Sequence, residues 1–386
     1  MNIGKLGKFA TALAASLALL TTAAQAQVKV GVISSAVGPT AFVGIPQRNS
    51  VALLPTEVDG TKIEYIFYDD GSDPTHSVQV AQKLLTEHKI DALIGPSGSP
   101  NAMGVLGFFA EAGTPMLAPV GTAAVVLPMD DKKRWVFKTH PNDGVIAGKL
   151  LEAMTARGVK TVGFIGFNDP YGENWYKTFA EMAGKVGIRM VADERYSRQD
   201  TSVTGQVVKL AGTNPDAVLV GGIAAAAALP HRALVEVGYK GPIFHTHGSA
   251  SGAFIQIGKE AVEGALIVGP LLLVLDEVEE AHPVRRVAHE YVSQYEEKYG
   301  SRPPIFGAGI YDAGLLLQTA LPKAVAKAKP GTAEFRAALR DELEQVQGLV
   351  ASQGMINMSA DDHSGFDAGG QVLMTVKNGR FTLVAD

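Results

Sequence analysis

The chain contains no cysteine among its 386 residues. That absence excludes disulfides, thiolate metal sites, a cysteine nucleophile and a lipid-modified N-terminal cysteine. Charge is also sparse: 19% of residues are Asp, Glu, Lys or Arg, with a formal net charge of −5. Lys and Arg are scattered singly and form no basic stripe, which argues against a nucleic-acid partner. Catalytic signatures are missing as well. There is no G-x-S-x-G elbow, no H-E-x-x-H, and no carboxylate pair that stands out for glycoside hydrolysis. Beyond the N-terminus no apolar run is long enough to span a membrane. The richest, Ala265 to Leu275, is broken by Gly269-Pro270.

What is present begins with an export signal. Lys5 and Lys8 precede an apolar stretch from Phe9 to Leu20, and Ala24-Gln25-Ala26 follows with small residues at the peptidase positions. This is the layout of a signal peptide over residues 1–26, with cleavage after Ala26. The expected location is therefore the periplasm, with no direct membrane insertion. The whole chain has 46% hydrophobic residues to draw on, and at ~150 residues per domain its length suggests two domains.

From Gln27 onward, short apolar runs alternate with segments of helical periodicity. "VKVGVI", followed by a loop rich in Gly and Pro, and "IEYIFYDD", "DALIG" and "PMLAP" read as strands, with helices over Ser77 to His88 and "AMGVLGFFAEAG". After His140 to Gly144 the alternation restarts with "TVGFIGF", "RMVADERY" and "DAVLVGG" as strands. Three helices follow Leu275, and "QVLMTVKNGRFTLV" closes the chain as a hairpin turning at Asn378-Gly379. Fully apolar strands separated by helices imply parallel sheets covered on both faces. The fold class is α/β, with two similar lobes. Such sheets bind ligands beyond the carboxyl ends of their strands, and here those ends are rich in Gly and Ser.

Candidate site residues follow from those ends. "LIGPSGSPNAMG" (Leu93 to Gly104) breaks from strand into hydroxyls and glycine before a helix, and "APVGTAAVV" (Ala118 to Val126) does the same. Each suits plain turn chemistry or an anion held by free backbone N–H groups. The first lacks the endings of a nucleotide-phosphate loop. "HTHG" places His245 and His247 two apart, so a strand would put both on one face. No Asp or Glu lies nearby in sequence to complete a metal site. "DDHSGFD" (Asp361 to Asp367) fits no metal pattern and suggests a solvated turn with an Asx cap.

These stretches together resemble the type I periplasmic solute-binding proteins of the branched-chain amino acid (Leu/Ile/Val-binding) family, which serve ABC importers. The resemblance runs through "VGVISSAVGPTAFVG", "YDDGSDP", "DALIGPSGSPNA", "GTPMLAPVGT", "VGFIGFNDPYGENW", "PDAVLVGG" and "YDAGLLL". It implies two Rossmann-like lobes joined by a three-segment hinge that close over a ligand. The implied division is 27–140 with 273–345 for the N-terminal lobe, and 141–272 with 346–386 for the C-terminal lobe. It implies a monomer, no enzyme activity, no cofactor and no metal, with a membrane permease as partner. A regulator or an enzyme on the same two-lobe fold is the alternative of another class.

By position, the family's carboxylate cradle falls on Ser97, Gly98 and Ser99 and on Val120, Gly121 and Thr122. Tyr171 matches an aromatic wall position, while Phe42, Val43 and Phe306 match side-chain pocket positions. Ile223 opens the "IAAAAALP" wall, whose small residues leave room for a bulky ligand body. One departure stands out. Where amino-acid binders carry a carboxylate before a glycine, this chain has His247 and Gly248. A neutral imidazole supplies no counter-charge for an ammonium. The expected solute is therefore a small carboxylic acid with an aromatic, benzoate-like body, and a branched-chain or other amino acid is the alternative. The exported protein is expected to begin at Gln27. Intact-mass measurement on the periplasmic fraction checks this, and a full-length, membrane-retained chain would contradict it.

Overall fold

The computed structural model describes residues 27–384; the proposed signal peptide lies outside the described residues. The first lobe opens with strand β1 (Gln27–Ser34), helix α1 (Ala41–Val51) and strands β2 (Glu57–Val58) and β3 (Thr61–Asp69). Then come α2 (Pro74–Lys83), β4 (Ala92–Ile94), α3 (Ser99–Glu111), β5 (Met116–Ala118) and β6 (Val136–Lys138). The strands form one sheet in the order β2-β3-β1-β4-β5-β6, parallel except for the β2–β3 pair. Val28, Val30 and Val32 are fully buried, as expected for a central strand covered on both faces.

The second lobe repeats the plan with α4 (Asp143–Ala156), β7 (Thr161–Phe167), α5 (Pro170–Lys185), β8 (Arg189–Tyr196) and α6 (Thr204–Ala211). It continues through β9 (Ala217–Gly221), α7 (Ala224–Glu236), β10 (Ile243–His245), α8 (Gly252–Gly258) and β11 (Leu266–Pro270). Helices α9 (Pro283–Tyr299), α10 (Ala308–Lys327) and α11 (Ala333–Glu344) follow, then the short strands β12 (Leu349–Val350) and β13 (Met355–Ile356). The chain ends in β14 (Gln371–Lys377) and β15 (Arg380–Leu383), which add antiparallel to the second sheet in the order β15-β14-β11-β10-β9-β7-β8. The sheets are thus mixed and mostly parallel. Asn378 and Gly379 both take positive φ, as a tight hairpin turn with strand twist requires.

Three differences from expectation have physical causes. The Gly- and Pro-containing segment after β1 is helical: Gly44 packs so closely on β1 that a Cβ would lie 2.1 Å from the Ser35 carbonyl oxygen. The stretch after 345 does not pass to the second lobe at once. Val346, Ile356, Met358 and Phe366 share a core with Val28, Ile94 and Ile310 of the first. The last crossing therefore falls between Phe366 and Gln371. "DDHSGFD" is also less solvated than expected. Asp362 does cap the turn through the Ser364 and Gly365 N–H groups. His363, however, is fully buried, stacked on Phe137 at 4.3 Å and bonded to the Val136 carbonyl.

The crossings lie side by side. Lys138 Nζ is fully buried and donates to the His140 and Pro141 carbonyls at 2.8 and 2.5 Å. Gln353 Nε2 donates to the Thr139 carbonyl and to Asp312, while Gln371 Nε2 donates to the Gln353 carbonyl. Leu271 N donates to the Gly370 carbonyl. Each crossing is thereby tied to another, so the three form one hydrogen-bonded bundle rather than three separate linkers.

His231 and His245 stack within the second lobe at 5.1 Å, with Nδ1 of one 2.8 Å from Nε2 of the other. Burial pushes His231 down to about 4. Its folded pKa thus lies below the unfolded value, so the folded state is favoured above ~6.5 and loses that advantage as pH falls towards 4. The contribution is on the order of 3 kcal/mol. His231→Asn is expected to flatten the decline of unfolding free energy across pH 6.5 to 4. Urea unfolding at a series of pH values checks this against the wild type, and an unchanged slope would count against a buried neutral His231.

Candidate ligand cleft between the lobes

In each lobe the strand order reverses beside the first strand, at β1/β4 and at β7/β9. Open α/β sheets place their ligands at such points. The loops leaving β4 and β5 in the first lobe face those leaving β7, β8, β9 and β10 in the second. Between them lies a small inner cavity of about 40 Å3.

A buried carboxylate orders the first-lobe loops. Asp70 accepts from Ser35 Oγ at 2.7 Å, Ser77 Oγ at 2.6 Å and Asn101 Nδ2 at 2.8 Å. Ser35 N in turn donates to Ser97 Oγ at 3.0 Å. Gly95, where the chain leaves β4, sits at φ +120° with the Ile33 carbonyl oxygen 2.2 Å from where a Cβ would stand, so only glycine fits. Ser97, Gly98 and Ser99 thereby reach the cavity wall.

Ser97, Gly98, Ser99, Gly121 and Val43 of the first lobe line the cavity together with Tyr171, Ile223, His247 and Gly248 of the second, and Phe306 closes one end. Three expected residues sit elsewhere. Val120 is buried in the first-lobe core. Thr122 is fully buried, and its hydroxyl accepts from Ala124 N as a helical cap while its own N–H reaches Ser99 Oγ at 3.3 Å. Phe42 lies outside the inner cavity, packed edge-on against Phe306 at 5.9 Å. It lines a second cavity of about 320 Å3 with Phe167, Ala225, Ala226 and Leu229. The small-residue wall thus borders this outer space.

Thr40, Pro119, His140, Arg198 and Ile305 also line the inner cavity and were not expected there. Arg198 matters most, because it brings a positive charge. Its position two residues beyond the apolar end of β8 was the available signal, equivalent to the loop positions flagged elsewhere.

His245 and His247 do not share a face. β10 ends at His245, which turns into the second-lobe core against His231 and Ser249. His247 begins a helical turn and faces the cleft, its ring 6.1 Å from Tyr171 and 5.7 Å from Trp175. Burial, with Lys138 and His140 nearby, pushes its pKa well below the ordinary histidine value. The ring is therefore neutral, and its Nδ1 has no hydrogen-bond partner. Tyr171 is held by Thr246 through their hydroxyls at 2.8 Å, and burial pushes its phenol well up.

The lobes touch at Gly121. A Cβ there would lie 2.5 Å from the Tyr171 ring and 3.4 Å from His247 Nε2. Asp143, at the start of α4, forms a second tie by accepting from Ala123 N of the first lobe at 3.3 Å and from Asn174 of α5. Val43, Ile305 and Phe306 of the first-lobe side share one continuous apolar cluster with Tyr171 and Trp175. This is a closed arrangement.

Comparison with known proteins agrees with this geometry. A family model described as periplasmic binding protein matches residues 27–379. An extracellular ligand-binding receptor from Rhodopseudomonas palustris HaA2 is 42% identical, with a TM-score of 0.89 over 93% of this chain and 100% of that one. The leucine-, isoleucine-, valine-, threonine- and alanine-binding protein of Pseudomonas aeruginosa is 24% identical over 253 residues. That match takes in 63% of this chain and 66% of the relative's length. The Leu/Ile/Val-binding protein of Escherichia coli is 24% identical over 280 residues, 70% of this chain and 74% of its own.

Gly121→Ala is expected to hold the lobes apart, since the added methyl overlaps a ring fixed by its neighbours. The overpacking costs about 1–3 kcal/mol and should weaken solute binding roughly ten- to a hundredfold. Small-angle scattering on the solute-loaded variant should show a larger radius of gyration than the loaded wild type. An unaltered affinity and radius would mean that closure does not bring Tyr171 onto Gly121.

Proposed function

We propose that this chain, which belongs to the periplasmic binding protein family, is the solute-capturing component of an ABC importer. It works in the periplasm, delivers its solute to a membrane permease, and holds an amino acid or a close relative by its carboxylate. The single observation that carries this is the cleft itself. Strand ends of both lobes converge on one enclosed cavity, and hydroxyl, imidazole and guanidinium groups face into it. Hydrogen bonds to a charged partner contribute about 1.5–3 kcal/mol each, so a few suffice to select a carboxylate. The names of the Pseudomonas and Escherichia relatives support an amino acid as the solute class.

A second reading rests on one specific observation. Among the described residues no Asp or Glu side chain lines the inner cavity, and His247 is held neutral where a counter-charge would serve an ammonium. Burying an unpaired ammonium is costly. A carboxylic acid without the α-amino group, benzoate-like acids included, avoids that cost. Catalysis has no part in either reading.

Thermal shift and calorimetry on the mature chain separate the two. The panel holds the standard amino acids, isocaproate (leucine without its amino group) and benzoate. Stabilisation should follow RT ln(1 + [L]/Kd), about 2.7 kcal/mol at a hundredfold excess over Kd. Binding by an amino acid supports the first reading, and binding by isocaproate or benzoate alone supports the second. A flat response to all of them would overturn the carboxylate in both.

A further inference from the structure

Arg198 stands where the inner and outer cavities meet, and it lines both, as Thr40 and Ile223 do. Its guanidinium is fixed before any solute arrives. Nε donates to Asp169 Oδ2 at 2.5 Å, and the group lies over the Phe167 ring at 4.3 Å. Asp169 is itself fixed as the cap of α5, accepting from Tyr171 N at 2.9 Å and Gly172 N at 3.3 Å. Asp200, which lines the outer cavity, accepts from Ser197 N at 2.8 Å. Nη2 of Arg198 is left buried, with no hydrogen-bond partner.

A buried, unpaired N–H on a charged group is costly, and a structural ion pair to Asp169 needs only one edge of the fork. The remaining edge is planar, charged and held in place, which suits an oxygen acceptor. On the far side the outer cavity is walled by Phe42, Phe167, Ala226 and Leu229, none of which offers an acceptor side chain. A solute with its carboxylate on the Ser97–Ser99 side and a body extending outward must pass Arg198.

We propose that Arg198 recognises the solute through Nη2, taking a second oxygen acceptor placed distal to the carboxylate. The solute is then a bifunctional acid: a carboxylate at one end, and a carboxylate, carboxamide or hydroxyl further along. A purely aliphatic side chain leaves Nη2 unpaired and is selected against, as in sites built around a hydrogen bond. This rests on the cleft being the carboxylate site proposed above.

The test uses matched probes that differ only in the distal acceptor: norvaline and glutamate, valerate and glutarate, phenylacetate and 4-hydroxyphenylacetate. Each is titrated into the wild type, Arg198→Met and Arg198→Lys. The lysine variant retains a cation for Asp169, so it keeps the test open if the methionine variant folds poorly. In the wild type the acceptor-bearing member of at least one pair should bind about tenfold tighter or more. Both variants should abolish that preference. Equal affinity within every pair that binds overturns the role of Arg198 and leaves the carboxylate site standing. So does a preference that survives in both variants. Failure of all six probes to bind overturns the carboxylate site and this inference with it.

Discussion

The buried ammonium of Lys138 is the constraint on which the two-lobe arrangement depends. A full charge removed from water is tolerated only when it is paired and hydrogen-bonded. Burial lowers the Lys138 pKa to about 8, and Asp143 and Asp362 oppose that fall. Its hydrogen bonds go to the carbonyls of His140 and Pro141, on the first crossing between lobes. Burial in turn raises Asp143 to about 7, with Lys138 opposing. Asp143 reaches back to the first lobe through Ala123 N. Burial keeps His140 and His247 neutral, and the same Lys138 charge adds to that effect. Hinge geometry and cleft electrostatics are therefore one problem.

Closure then decides what the cleft can hold. Gly121 lies against Tyr171 and His247, so the first-lobe loops are covered by an aromatic ring and a neutral imidazole. Arg198 adds a charged donor to the hydroxyls and neutral imidazoles of the lining, which suits a small carboxylate. Room for a larger body lies on the outer side, beyond Thr40, Ile223 and Arg198. The two spaces impose different demands, one for acceptors and one for apolar area, and a solute that meets both is elongated.

The α/β alternation, the C-terminal hairpin and the Gly- and Ser-rich strand ends were legible from local pattern. Each depends on interactions within a few residues: β-branched runs, helix caps such as Asp169, and a turn that only Asn378-Gly379 fits well. Most of the cleft was legible too, because a doubly wound sheet puts its loops on one side whatever their sequence. Thr122 was misplaced because a hydroxyl after a strand serves a helix cap as readily as a ligand. The helix over Ala41–Val51 was hidden by Gly44 and Pro46, which local preference reads as loop, although close packing against Ser35 requires the glycine.

The sequence by itself determined most of the strands and helices and the alternation that makes two lobes, which are local properties fixed by period and residue type. The resemblance added the His247 position without a carboxylate. Only the tertiary structure decided that His245 turns inward while His247 faces the cleft, and that residues 346–366 stay with the first lobe. It alone brought Arg198 between two cavities with one edge unpaired. These outcomes depend on contacts between segments far apart in the chain, such as Phe366 on the core of Val28 and Arg198 on Asp169. No local pattern encodes which distant partner a buried side chain will meet.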